Sequence, residues 1–330
     1  MTARAPAVSI VMPAFNVETF VEEAVASVRE QEYAAFELIA IDDGSTDATP
    51  GLLDRLAAEW RRGGLQLTVV HQPNRGAAAA RNTGLNAASG GWIAFLDADD
   101  RWHPRLLARL VAELDSNPRL DLVFPQYRYI DMDGNSLGIE SRCAKQRFTI
   151  RDLLLNNPLH TATGTLLRQS SARAVGLFDE TLQGCIDLDY WVRLAALSEG
   201  QIGCVQEVLV DYRRRDGQIT SDWRRMESNW SRVFEKAARA CPEQVTPLAN
   251  EARARQSVYW STIAYVNGDY AAARGLIATA WRLSPRTLAA ERHAYVRAAA
   301  CLASLLPSGV YARLRTGFNA LRARFGFDFS

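Results

Sequence analysis

The stretch Gly90-Gly91-Trp92-Ile93-Ala94-Phe95-Leu96-Asp97-Ala98-Asp99-Asp100 decides how this chain is read. Ile93 to Leu96 is an unbroken apolar run, short enough for a strand covered on both faces. It stops at three carboxylates within four positions. Asp97, Asp99 and Asp100 repel one another, and an unpaired charge is costly to bury. A hard divalent cation with oxygen ligands, shared with a substrate's phosphates, relieves that repulsion. The pattern therefore predicts a metal–diphosphate site at a strand's end.

Outward from this strand the first 126 residues alternate strand and helix. Val8–Met12, Phe36–Ile41, Leu65–Val70, Trp92–Leu96 and Leu120–Pro125 read as buried strands. Between them, Phe20, Val21, Ala24, Val25 and Val28 recur at helical spacing. Thr49-Pro50 reads as a helix start with a hydroxyl cap, Gly76–Ala88 as an Ala-rich helix, and Pro104 as the start of another ending at Ser116. Repeated β-α-β units predict an α/β fold with a doubly wound, mostly parallel sheet. Ligands of such sheets lie outside the strands' carboxyl ends, where Pro13–Asn16, Asp42-Asp43 and Asp97–Asp100 fall.

The rhythm changes after Gln126. Tyr127–Ile130 and Leu137–Glu140 flank the hairpin signal Asp133-Gly134-Asn135. A helix is expected near Ile150–Asn156, a strand near Ala162–Leu167, a helix over Asp187–Ser198 and a strand over Ile202–Tyr212. From Asp222 the pattern is helical. Gly268–Arg274 with Ala280 and Pro285 resembles one tetratricopeptide-like helix pair, and a single copy does not establish an array. The expected division is 1–220, with a nucleotide-sugar-binding part (1–126) and an acceptor-side part (127–220), followed by a helical appendage over 221–330.

Composition narrows the class. Apolar content of 48% with 23% charged residues fits a globular protein with a large core. Five cysteines with no C-x-x-C pair fit free thiols better than a disulfide frame or a zinc site. Met1–Ala7 lacks the apolar core of a signal peptide, and Ala298–Leu306 is too short to span a bilayer, so a cytoplasmic protein is expected. From Tyr212 onward there are 19 basic and 9 acidic side chains, against 19 and 28 before it. Almost all the basic residues are arginine, so solvated helix faces are one reading of this tail. Contact with an anionic partner such as a membrane surface is the other. Leu314, Phe318, Leu321 and Phe325 recur there at helical spacing. Nothing points to nucleic acid.

Four strings carry the chemistry. Val8-Ser-Ile-Val-Met-Pro-Ala-Phe-Asn16 ends a strand at Pro13 and Phe15. Glu37-Leu-Ile-Ala-Ile-Asp-Asp-Gly-Ser-Thr-Asp47 runs a strand into a tight turn. Helix capping accounts for Asp47 and leaves Asp42 free to accept hydrogen bonds from a base or ribose. Asn74-Arg-Gly76 and Ala80-Arg-Asn82 bring arginine to a helix start, a favourable place for phosphate. Phe95-Leu-Asp-Ala-Asp-Asp100 is the fourth.

In this order and spacing, the four strings resemble family-2 glycosyltransferases of the GT-A fold, with the resemblance running from about residue 8 to about residue 215. It implies an inverting enzyme that moves a sugar from a nucleotide sugar, often UDP-linked, to an acceptor hydroxyl. Mg²⁺ or Mn²⁺ would sit on the donor diphosphate. Asp42 would bind the nucleobase, and Pro13, Phe15 and Arg81 would line the nucleotide pocket. Asp97 would touch the ribose or a metal-bound water, and Asp99 would ligate the metal. Asp187-Leu-Asp-Tyr-Trp-Val-Arg193 resembles the acceptor-side signature, which makes Asp187 the general base and Asp189 a second carboxylate for substrate. The usual Glu before the base is Ile186 here. Asp211-Tyr-Arg-Arg-Arg-Asp-Gly-Gln-Ile-Thr220 resembles the family's late loop. It places Arg215 where many members carry His, so a diphosphate partner replaces a metal ligand. The implied acceptor is a growing surface polysaccharide or a lipid-linked saccharide. A nucleotidyltransferase would usually show a Gly- and Lys-bearing loop after the first strand, absent from Met12–Val17. A dehydrogenase would need a G-x-G-x-x-G there. A non-catalytic saccharide binder on the same fold is favoured only by Ile186 and Arg215.

Overall fold

The structure is a computed structural model that describes residues 6–143, 145–197, 201–215 and 222–290. In chain order the first part holds β1 (Val8–Ala14), α1 (Val21–Arg29), β2 (Phe36–Asp42), α2 (Thr49–Arg62), β3 (Leu67–His71), α3 (Ala77–Ala87), β4 (Trp92–Phe95), β5 (Arg101–Trp102) and α4 (Leu106–Ser116). It continues through β6 (Leu122–Ile130), β7 (Ser136–Glu140), β8 (Arg147–Phe148), α5 (Ile150–Asn156), β9 (Leu166–Arg168), α6 (Gln169–Val175), α7 (Ile186–Leu197) and β10 (Ile202–Arg213). The helices α8 (Trp223–Ala240), α9 (Pro242–Val245), α10 (Ala249–Val266), α11 (Tyr270–Leu283) and α12 (Pro285–Ala290) follow. By compactness the chain divides into 1–153 with 157–216, and 154–156 with 217–330.

The strands form one sheet of order β3-β2-β1-β4-β9-β6-β10-β5, with β7 on β6 and β8 on β10. Strands β1 to β4 pair in parallel. Their apolar runs Ile10–Met12, Leu38–Ile41 and Ile93–Phe95 are buried, as strands covered on both faces require. The sheet is mixed rather than mostly parallel beyond them, because β9 runs antiparallel between β4 and β6. The fifth strand also differs from expectation. Leu122–Ile130 is one strand in which the expected Leu120–Pro125 and Tyr127–Ile130 segments merge, and irregularities in β10 near Val208 absorb the register shift.

Parallel order puts the ends of β1, β2, β3 and β4 on one edge. Ala14 lies opposite Asp42 and Asp42 opposite His71. Helix α3 lies close against this half of the sheet. A Cβ added at Gly84 would fall 2.3 Å from Val11 Cγ1 and 3.0 Å from Ile41 Cδ1. Only glycine permits that approach, and it carries Arg81, about one turn earlier on α3, toward the sheet's edge.

The second unit packs α10, α11 and α12 around Ala254, Val258, Ala280 and Leu288, with Ile277 and Leu283 alongside. The Asp269 side chain caps α11 by accepting from the Ala272 amide. Cys301 and the Leu314–Phe325 periodicity lie outside the described residues. No helix among the described residues is long and apolar enough to cross a membrane.

Candidate active site

At the tip of β4 the chain turns at Asp97. Its amide donates to Thr163 Oγ1 at 3.2 Å, and its carboxylate accepts from Thr161 Oγ1 at 3.1 Å and Arg81 Nη2 at 2.6 Å. The other arm of Arg81, Nη1, donates to Asp187 at 2.9 Å. One guanidinium, 5% exposed, thus bridges carboxylates 90 positions apart, whose side chains are 24% and 20% exposed. Burial alone would weaken the Arg81 charge, but Asp187 and Asp97 outweigh it and hold the cation more firmly than usual.

Asp187 lies in the first turn of α7, and an aromatic cluster sets where that helix sits. Phe178 stacks on Tyr190 with ring centres 4.1 Å apart, and Phe95 of β4 meets Phe178 and Trp191 edge-on. Asn82 on α3 stitches in the preceding loop. It accepts from the Phe178 amide and donates to the Phe178 carbonyl and to Glu180. The helix carrying Asp187 is thereby tied to the strand carrying Asp97 and the helix carrying Arg81. Burial raises the Asp187 carboxyl above its usual value; Arg81 opposes the shift and Asp97 adds to it. A carboxylate of raised basicity is suited to accept a hydroxyl proton.

Asp189, expected as a second carboxylate for substrate, sits two positions beyond Asp187 on α7. Two positions along a helix is about 200° around its axis, so it faces away from Asp187. It is buried, and it accepts from Arg193 Nε at 2.9 Å; Arg193 also donates to the Val175 and Leu177 carbonyls. Its contacts hold α7 against the segment before it.

Asp99 forms an ion pair with Arg215, with 2.9 Å between its Oδ2 and Arg215 Nε. Arg213, 1% exposed, locks the turn from the other side. Its amide donates to Asp100, its Nε to the Asp99 carbonyl, and its remaining nitrogens to Asp131, Met132 and Glu23. Burial pushes the Asp99 carboxyl up, Arg215 pulls it down, and Asp97 raises it again. Asp100 is pushed well up by burial and by Asp99 and Asp97. Burial is the largest cause of both shifts, and the mutual repulsion of the carboxylates adds to it. The side-chain donors at this turn are hard oxygens, the kind a divalent cation takes.

At the β2 edge, Asp42 accepts from the Ser45 amide at 3.1 Å and pairs with His71 Nδ1 at 2.9 Å. His71 reaches Asp54 with its other nitrogen, and both carboxylates raise its pKa. Asp43 has a structural role. It accepts from Gln72 and from the Arg75 and Gly76 amides, fixing the loop that enters α3. Gly44, at φ +72°, allows close passage of that loop, since a Cβ there would meet the Asn74 nitrogen at 2.6 Å. Thr49 does not cap α2. It lies inside the helix, where its Oγ1 accepts from the Val17 amide, while Asp47 accepts from the Thr49 amide. Pro13 and the exposed Phe15 close the adjacent end of β1.

Sequence reasoning missed Thr161, Thr163, His71 and Arg213. A neutral threonine carries no signal of a carboxylate 64 positions away. His71 was within reach, because it ends the strand that neighbours Asp42.

A Rossmann-like parallel half, an antiparallel extension and an acidic turn at the fourth strand's end define a GT-A-type sugar-nucleotide transferase. The model of "Glycosyl transferase family 2" matches residues 9–176, just over half of the chain. The chain belongs to that family and is a nucleotide-sugar-dependent glycosyltransferase. It is 30% identical over 232 residues to TuaG of Bacillus subtilis (strain 168), a glycosyltransferase provisionally assigned to teichuronic acid biosynthesis, covering 70% of this chain and 88% of TuaG. It is 29% identical to the Escherichia coli UDP-Glc:alpha-D-GlcNAc-diphosphoundecaprenol beta-1,3-glucosyltransferase WfgD, covering 68% and 83% of the two chains. In fold it is similar to S. aureus TarS in complex with UDP-GlcNAc, with a TM-score of 0.59 at 17% identity, covering 94% and 92% of the two chains. The mannosyltransferase PcManGT from Pyrobaculum calidifontis, in complex with GDP-Man and Mn²⁺, gives a TM-score of 0.59 at 21% identity, covering 99% and 89%. A nucleotide-sugar donor, a saccharide acceptor and a divalent cation are what such a family and fold imply.

Proposed function

We propose that this chain is an inverting glycosyltransferase with a UDP-linked donor and an acceptor belonging to a surface polysaccharide or a lipid-linked saccharide. The observation that carries the reading is Arg81, which joins the donor-side Asp97 to Asp187 through bonds of 2.6 and 2.9 Å. Asp42 takes the nucleobase edge, with Pro13 and Phe15 beside it. Asp99 and Asp97 would hold Mg²⁺ or Mn²⁺, which when bound would supply Lewis-acid stabilisation of the leaving diphosphate. Arg215 and Arg81 add positive charge where negative charge grows. Asp187 takes the proton of the acceptor hydroxyl as its oxygen attacks the anomeric carbon from the face opposite the diphosphate, in one displacement.

The donor choice is supported by what WfgD is named for, and the acceptor class by WfgD and TuaG together. In this reading residues 1–126 bind the donor and 127–220 the acceptor side, and the appendage is 221–330, of which 222–290 are described. A peripheral contact with the cytoplasmic face of a membrane through the Arg-dotted stretch 311–329 completes the reading, and that stretch lies outside the described residues. Incubation with a panel of sugar nucleotides, following metal-dependent release of nucleoside diphosphate, tests the function. Release from UDP-sugars that needs Asp187 only when acceptor is present supports it; no release from any donor overturns it.

A further inference from the structure

Two arginines hold Asp99, and they differ in kind. Arg213 is fully buried and binds the Asp99 backbone carbonyl within a net of other partners. Arg215 is 32% exposed, binds a side-chain oxygen of Asp99, and forms its ion pair there among the described residues. The first is a fixed part of the turn. The second is a long, partly exposed side chain whose ion pair among the described residues is with Asp99.

A guanidinium has no lone pair to offer a metal. Two cations on the same carboxylate oxygen repel each other strongly. A divalent ion on Asp99 therefore competes with the Arg215 contact at 2.9 Å, for Oδ2 directly and for Oδ1 through charge repulsion. A diphosphate gives Arg215 a better partner, because a planar guanidinium pairs with phosphate oxygens in a two-pronged fashion.

We propose that Arg215 is a placeholder cation that weakens metal binding to the nucleotide-free enzyme and moves from Asp99 to the donor diphosphate, so that nucleotide favours entry of the cation. This rests on the reading of Asp99 as ligand of the donor-bound cation. Asp99 keeps a cationic partner in either state, and a free ion binds more weakly ahead of nucleotide than with it. By linkage, the nucleotide raises metal affinity, and the enhancement is larger with Arg215 than without it.

The test measures free Mn²⁺ by electron paramagnetic resonance during titration of the full-length protein, with and without UDP and with no turnover. Wild type, Arg215→Gln, Arg215→Lys and Asp99→Asn are compared. Losing one partly exposed charge-assisted contact corresponds to about tenfold in affinity. Without UDP, Arg215→Gln is expected to bind Mn²⁺ about tenfold more tightly than wild type, with Arg215→Lys between them. With UDP the gap closes or reverses. Equal or weaker Mn²⁺ binding by Arg215→Gln without UDP, together with the same UDP enhancement as wild type, overturns the proposal. If wild type with UDP binds Mn²⁺ no better than Asp99→Asn does, the metal reading itself falls, and the placeholder with it.

Discussion

Replacing Arg81 by methionine removes the guanidinium and keeps an unbranched side chain of similar reach. Two buried carboxylates then face each other without their shared partner. Breaking a buried ion pair costs about 3–5 kcal/mol. Asp97 and Asp187 retain 24% and 20% of their side-chain exposure, so water recovers part of the loss. A cost of about 3 kcal/mol follows, which lowers Tm by about 6–12 °C in a unit of this size. Protonation moves as well. Arg81 is the strongest opponent of the rise in the Asp187 pKa, so its removal lets that carboxyl climb further. The acid limb of the pH–rate profile, where the base must be ionised, should shift to higher pH. A carboxyl whose folded pKa lies above its unfolded value favours the folded state less as pH rises through that window. The Tm deficit of the variant should therefore shrink as pH falls from neutral through the raised carboxyl range. Differential scanning fluorimetry across pH, with initial rates in the same buffers, reads both effects. An unchanged Tm, or an acid limb that stays put, would show that Arg81 does not bridge the two carboxylates in solution.

Asp187→Asn should lower kcat about 10²- to 10⁴-fold with little change in Tm, because the substitution also removes a desolvated charge; a loss below fivefold argues against the base. Asp42→Asn should raise the donor KM and return the His71 pKa toward its ordinary value, read by NMR titration. An unmoved histidine would deny the pairing. Because Asp42 and Asp54 raise the His71 pKa, their support of the fold is present at low pH and lost as pH rises through the folded value. Gly84→Ala should cost about 1–3 kcal/mol by forcing α3 off Val11, measured by urea unfolding, and reduce turnover by displacing Arg81. Full stability would mean that α3 has room the packing does not show.

The parallel half of the sheet was legible because its signals are local. Apolar runs ending in Asp42 or Asp97 fix both strand and edge, and Gly44 marks the turn between them. The antiparallel insertion of β9 was not legible, because a three-residue strand carries no mark of its direction. The same limit governs the site. Asp97, Asp99 and Arg81 announce themselves by charge at strand and helix ends. The hydroxyls of Thr161 and Thr163 meet Asp97 only after the chain returns from β6 through α5. The charge of Asp189 carries no mark of its partner either, and helical geometry turns it toward Arg193 four positions on.

A crystal of the full-length protein with Mn²⁺ and UDP, measured at a wavelength where manganese scatters anomalously, tests the core of the account. The expected result is a manganese peak within about 2.5 Å of an Asp99 carboxylate oxygen, bridging to the diphosphate. A UDP-bound structure with no peak there, and with Arg215 still on Asp99, would contradict it.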